Sequence, residues 1–216
     1  MDADTPAIPD MYKYAVLSAG AAIQAAEFAV NGQPAFSHMR PPGHHAGKDT
    51  LGGFCYFNNI AIATNYLISQ SPNLLISILD IDCHHGNGTE EIFYDDENVL
   101  FTSIHQSPLY PGTGLTSKGN IKNFPVAPGT GESEYLKVLE NVFSELKKFK
   151  LEVIAISAGF DTYIKDPLTD IKLTKESYRK IGNAIKSLNT ARFAVLEGGY
   201  SPDLPECMYN FIEGIS

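Results

Sequence analysis

The sequence predicts an α/β protein in which helices flank a mostly parallel β-sheet, and three observations predict it. Five short runs rich in Val, Ile, Leu and Phe have the length and apolar continuity of strands buried on both faces. Longer helical patterns lie between them, and that alternation gives βαβ units with right-handed crossovers. Four of the runs are followed at once by clusters of polar residues, at the strand ends where a parallel sheet collects its chemistry.

The strand runs are Ala35 to Met39, Leu74 to Asp82, Val99 to Ile104, Val153 to Ser157 and Phe193 to Glu197. Among the helices, Tyr12 to Val30 is Ala-rich and stops at Asn31-Gly32. Asn58 to Ser69 runs up to a loop containing Pro72. Glu132 to Phe149 carries apolar residues at 135, 136, 139, 142, 143 and 146, which line one helical face. Thr174 to Leu188 is the last long helix; Thr174 is its expected N-cap, although Ser177 is not the Glu or Gln of the usual capping box. The Pro- and Gly-rich stretch from Ser107 to Pro128 reads as a long ordered loop. No repeat, low-complexity tract or linker interrupts the chain, so residues 1–216 read as one domain.

Composition narrows the partners. A formal charge of −9 argues against a nonspecific grip on nucleic acid, which needs clustered Lys and Arg, and suits a cationic ligand better. Cys55, Cys83 and Cys207 are an odd number with no C-x-x-C pair, so neither a disulfide framework nor a cysteine zinc site is expected. With no leader-like N-terminus and no apolar run of about 18 residues, the expectation is a cytoplasmic protein that does not enter a membrane.

The four polar clusters are Arg40 to His45, Asp80 to Gly88, Ala158 to Asp161 and Glu197 to Tyr200. If the second strand continues to residue 84, its period of two puts Asp80, Asp82 and His84 on one face and Ile81 and Cys83 on the other. Asp82 and His84 could then share an ion with Asp161, leaving the open position a catalytic zinc requires. The same residues would also suit a turn or a capped helix start. His44 and His45 could move protons to and from a reacting group if each had a partner to fix its tautomer, and Asp80 and Asn87 are the candidates. A carboxylate partner keeps one imidazole more readily protonated than an amide does. Gly198-Gly199 could turn the chain so that Tyr200 donates to a developing oxyanion, or it could be ordinary turn packing.

Taken together, RPPGHHA at residues 40 to 46, GGFCYFNN at 52 to 59, DIDCHHGNGT at 80 to 89, SIHQSPLYPGTG at 103 to 114, AGFDT at 158 to 162 and LEGGY at 196 to 200 resemble the zinc-dependent deacetylases of the arginase/deacetylase fold. That family holds the histone deacetylases and acetylpolyamine amidohydrolases, and the resemblance is collinear from about Asp4 to about Gly214. It implies zinc on Asp82, His84 and Asp161, an acid/base pair in His44 and His45, with Asp80 and Asn87 behind it, and Tyr200 polarising the scissile carbonyl. It implies a channel for the substrate's aliphatic stem, walled by Phe54 and Tyr110, with the Gly53 carbonyl facing the amide, Leu168 near its floor or rim and Asp4 gripping a peptide backbone. A structural potassium ion is implied at Asp80, Asp82, His84, Ser103 and Ile104, the last three partly through backbone oxygens.

The resemblance therefore implies hydrolysis of an acyl, chiefly acetyl, amide on a lysine side chain or a polyamine. Glu197 in place of a glycine and Asn87 in place of Asp resemble the class II and prokaryotic members. The family's N-terminal sheet strand and rim loop have no counterpart here, so the resemblance implies either a fragment or short form or a gap filled by another chain, with an uncovered sheet edge or core that invites homo-oligomerisation or poor solubility. Two alternatives remain open. Arginase-type hydrolysis needs a second metal, for which Asp161-Thr162-Tyr163 lacks the second Asp; a deacetylase-like scaffold could instead bind zinc or acyl-lysine without turnover.

Overall fold

Alternation along each central strand divides the molecule into two apolar layers. The computed structural model describes residues 4–216. Its strands are β1 (Ala35–Ser37), β2 (Ile76–Asp80), β3 (Val99–Gln106), β4 (Ile121–Val126), β5 (Val153–Ala158) and β6 (Ala191–Leu196). Its helices are α1 (Met11–Val30), α2 (Asn59–Gln70), α3 (Asn87–Phe93), α4 (Glu132–Phe149), α5 (Lys175–Lys186) and α6 (Leu204–Ile215). The strands form one sheet in the order β1-β6-β5-β2-β3-β4, every pairing parallel. Ile76, Ile78, Val99, Phe101, Val153, Ala155, Phe193 and Val195 pack on one face with Ala22, Ala26, Ile60, Ala63 and Phe93 of α1 to α3. Their sequence neighbours Leu79, Leu100, Ile154, Ile156, Ala194 and Leu196 pack on the other with Tyr135, Leu139, Tyr178, Ile181 and Phe211 of α4 to α6. That one-residue shift is the period-two geometry of a strand buried on both sides.

The chain runs outward from β2 through β3 to β4, then returns to place β5 beside β2 and runs the other way to β6. The sheet thus has a switch point between β2 and β5, where diverging connections leave a crevice beyond the strand ends. The loops after β2 and β5 carry Asp82 and Asp161.

Several expected boundaries change. β4 lies inside the stretch expected to be loop; it is an edge strand, where Pro125 costs no ladder hydrogen bond with a further neighbour. β2 ends at Asp80, two residues before the expected end and short of residue 84, because Asp80 Oδ1 accepts the Asp82 N–H (3.0 Å) and pulls the chain out of the ladder. The alternation of sides nevertheless persists, since Ile81 and Cys83 join the α4 to α6 layer. Ser177 does complete a capping box at α5, its Oγ accepting the Thr174 N–H at 2.9 Å, so a hydroxyl suffices where Glu was expected. Helices α3 and α6 were not expected: α3 has only two turns, and α6 opens on Leu204-Pro205 straight after a Gly-rich loop.

Candidate active site

Asp82, His84 and Asp161 each offer a ligand atom, and the three atoms lie within 4.8 Å of one another. His84 Nδ1 is 3.1 Å from Asp82 Oδ1 and 2.8 Å from Asp161 Oδ2. The carboxylates' other oxygens are tied to backbone: Asp82 Oδ2 accepts the Gly198 N–H at 2.7 Å, and Asp161 Oδ1 accepts the Cys83 N–H at 2.8 Å. These bonds knit the ends of β2, β5 and β6 together. Gly159 and Gly198 leave the room required, since a Cβ on either would fall 2.2 or 2.6 Å from Asp82 Oδ2.

The donor set fits a divalent metal. Asp161 Oδ2 is buried, makes no well-formed hydrogen bond among the described residues and lies 2.8 Å from His84 Nδ1. Two carboxylates and one imidazole are a recognised three-ligand set for zinc with a position left open. The electrostatics agree. Burial and the neighbouring Asp82 charge push the Asp161 carboxyl up to about 7, while burial of His84 is outweighed by the two carboxylates, which carry its imidazole up to about 11. The trio therefore strongly favours a positive charge in its midst.

His44 and His45 stand beside this cluster with their ring centroids 4.0 Å apart. His44 Nδ1 donates to Asp80 Oδ2 at 3.0 Å and its Nε2 is 3.8 Å from Asp82 Oδ1. His45 Nδ1 lies 2.7 Å from Asn87 Oδ1. Both expected partners are thus in place, and they separate the two imidazoles. Burial lowers both, but the carboxylates of Asp80 and Asp82 reverse it for His44, which rises to about 10. For His45, burial and the His44 charge outweigh the opposing hydrogen bond to Asn87, and its imidazole falls well below the ordinary value.

A cavity of about 400 Å³ opens from this floor to the surface, lined by His44, His45, Asp82 and His84 below and by Gly53, Phe54, Leu109, Tyr110 and Tyr200 along its walls. Phe54 and Tyr110 are half-exposed wall rings; Tyr110 stands edge-on to His45 at 5.2 Å and Phe54 edge-on to Tyr200 at 5.9 Å. Leu168 and Asp4, both solvent-exposed, sit at the rim. Gly53 takes φ 54° and packs so close to His45 that a Cβ there would be 2.2 Å from its ring. Ser103 and Ile104 are buried in β3 outside the cavity, with Ser103 in register with Asp80 and its Oγ 2.9 Å from His105 Nδ1.

Some supporting residues were not singled out from sequence. Arg40 places its guanidinium 5.6 Å over the Tyr200 ring and donates to Gly199 O, while Asp166 Oδ2 accepts the Tyr200 N–H at 2.8 Å. Thr5 Oγ1 accepts the Phe54 N–H at 2.9 Å. Glu197, noted only as a departure from glycine, is fully buried; its Oε2 accepts the N–H groups of Gly43 (2.7 Å) and His44 (3.1 Å), and its Oε1 accepts from Ser157 Oγ. Arg40 lay within a quoted motif, but nothing local in the sequence distinguishes Asp166 from other loop carboxylates.

The parallel sheet, its switch point and the two-carboxylate, one-imidazole cluster beneath a channel define a protein of the arginase/deacetylase fold. Similarity to known proteins agrees and narrows it. The histone deacetylase domain profile matches residues 1–215, and the chain belongs to that family. It is 44% identical over 216 residues to a probable deacetylase of Archaeoglobus fulgidus, covering 93% of this chain and 60% of that protein. It is 36% identical to an acetylpolyamine amidohydrolase of Mycoplana ramosa, covering 99% of this chain and 66% of that one. Among solved structures, an acetylpolyamine aminohydrolase from Burkholderia pseudomallei superposes with a TM-score of 0.91 at 34% identity, over 97% of this chain and 64% of that one. The chain thus spans less than two thirds of the length of these relatives. Among the described residues no helix is long and apolar enough to cross a membrane, and Cys55, Cys83 and Cys207 are buried free thiols.

Proposed function

We propose that the chain hydrolyses an acyl amide, chiefly acetyl, on a lysine side chain or a polyamine, with one zinc ion held by Asp82, His84 and Asp161. The observation that carries this is the convergence of three ligand atoms within 4.8 Å beside two histidines with unlike partners, at the foot of an open channel. The names of the relatives, deacetylase and acetylpolyamine amidohydrolase, support it. When bound, zinc supplies Lewis-acid polarisation of the acyl carbonyl and makes a water acidic enough to attack at neutral pH.

The residues do the rest. With its Nδ1–H donated to Asn87, His45 has a free Nε2 lone pair and takes the proton of the attacking water. His44, backed by the Asp80 carboxylate, retains a proton and delivers it to the amine as the C–N bond breaks. Tyr200, oriented by Arg40 and Asp166, donates its hydroxyl to the carbonyl oxygen as charge develops there. Phe54, Tyr110 and Leu168 accept the aliphatic stem, the Gly53 carbonyl meets the amide N–H, and Asp4 at the rim favours a cationic or peptide-borne substrate, as does the net charge of −9. The same reading includes a structural potassium ion, which Asp80, Asp82, His84, Ser103 and Ile104 would hold, the last three partly through backbone oxygens; all but His84 are buried. An arginase-like second metal is not part of it: Tyr163 fills the position a second carboxylate would need, and its hydroxyl turns away to Asp203 at 2.8 Å.

The test is turnover of an acetyl-lysine peptide and an N-acetylated polyamine by the zinc-restored protein. His45→Ala should lower kcat by roughly 10²–10⁴ with zinc retained, and Asp161→Ala should lose the zinc itself. Full activity in either variant would overturn the assignment.

A further inference from the structure

His84 and His85 are adjacent in sequence, yet only His84 faces the metal cluster. His85 is buried on the far side, and both its ring nitrogens are engaged. Its Nε2 donates to Glu90 Oε2 of α3 at 2.9 Å, an oxygen that also accepts from Asn123 Nδ2 of β4 at 2.8 Å. Its Nδ1 lies 2.8 Å from the Thr113 hydroxyl. A second buried imidazole, His105, lies against it at 4.7 Å, with Nε2 3.1 Å from Gly114 O. Gly114, at φ 75°, is pressed between the two rings, since a Cβ there would come 2.5 Å from His85 and 2.7 Å from His105. The middle of the loop between β3 and β4 is therefore clasped at Thr113-Gly114 by two histidines.

The near side of that loop is the channel wall. Leu109 and Tyr110 line the cavity, and Tyr110 stands edge-on to His45, three residues before the clasp. None of the hydrolytic steps uses His85, Thr113 or Glu90. We propose that His85 is a positioning residue: by clasping Thr113 and Glu90 it holds the loop so that Tyr110 stands against His45, and thereby sets how tightly the substrate stem is gripped. Its kinetic consequence rests on the hydrolase reading; its structural consequence does not.

The chosen variant is Thr113→Val, which keeps the side chain's shape and removes the hydroxyl at an exposed position, with Thr113→Ser as the conservative control. Two measurements are made on the full chain. In amide hydrogen exchange, residues 107–116 should exchange roughly tenfold faster in T113V than in wild type, while β2 and β5 are unchanged. In steady-state turnover of the acetyl-lysine peptide with zinc, T113V should raise KM roughly tenfold and leave kcat within about twofold, and T113S should behave as wild type.

Unchanged exchange overturns the proposal. So does faster exchange with an unmoved KM, or a loss confined to kcat, which would place the network behind the proton-transferring pair instead. Should wild type turn nothing over, the hydrolase reading fails, and the exchange result alone decides whether the clasp holds the wall.

Discussion

At the scale of single residues, the site is built as much by what is small as by what is reactive. Gly159 lies so close to Asp82 that any side chain there would displace the carboxylate. Because a Cβ there would also lie 2.4 Å from Asp82 Cα, Gly159→Ala is expected to weaken zinc binding by roughly 10–100-fold, measured by competitive chelator titration, and to lower the urea midpoint as well. An unchanged affinity would mean that Asp82 can shift without cost. The candidate site residues themselves were legible in the sequence because their types are rare and their motifs local. Asp82, His84 and Asp161 converge as the spacing and the resemblance implied, and His44 and His45 find Asp80 and Asn87. Glu197 was visible only as an oddity in Leu196-Glu197-Gly198, because its partners, the N–H groups of Gly43 and His44, stand more than 150 positions away. A buried carboxylate that satisfies backbone donors leaves no local signature.

At the scale of elements, α5 and α6 cross at paired glycines. A Cβ on Gly182 would lie 2.8 Å from Gly214 Cα and from the Phe211 carbonyl oxygen, backbone atoms that cannot swing aside. Alanine ordinarily gains up to about 1 kcal/mol over glycine inside a helix, but here overpacking should win. Gly182→Ala is expected to destabilise by about 1–3 kcal/mol, read from the urea midpoint; a raised midpoint would mean the helices separate freely. Apolar periodicity made α4 legible, an Ala-rich run ending at Asn-Gly made α1 so, the Pro72 loop bounded α2 and the Thr174 N-cap opened α5, while continuous apolar runs marked β2, β3, β5 and β6. What escaped has a physical reason in each case. β4 is half-polar and carries Pro125, tolerable only because it is an edge strand; α3 is too brief to show a period; α6 begins where Gly-Gly and Pro speak for a loop. The sheet order itself was not readable, because alternation of strands and helices fixes parallel pairing but not which strand returns beside β2.

At the scale of the whole molecule, buried imidazoles tie stability to pH. Burial, aided by the neighbouring His85, holds His105 down to about 4 from its ordinary 6.5. Between those values the unfolded chain binds a proton that the folded protein refuses, so this residue's contribution falls as pH is lowered from about 6.5 towards about 4. The raised carboxyls of Asp161 and Glu197 act in the opposite sense, so the test is comparative. The pH dependence of the urea midpoint in His105→Gln should differ from wild type by up to about 1.4 kcal/mol per pH unit in that window; parallel profiles would contradict it. The switch point has a consequence of its own. Cys83 and Asp161 are 78 positions apart, and Asp82 and Gly198 are 116 apart, yet each pair closes one side of the same donor cluster. No fragment of the chain contains the cluster before β2, β5 and β6 have met, so affinity for a divalent ion is a property acquired only at the end of assembly. Added zinc should therefore raise the melting temperature of the entire domain in a single cooperative transition, by several degrees at a hundredfold excess over its dissociation constant, and a transition that splits in two would reveal that the two halves of the sheet settle independently.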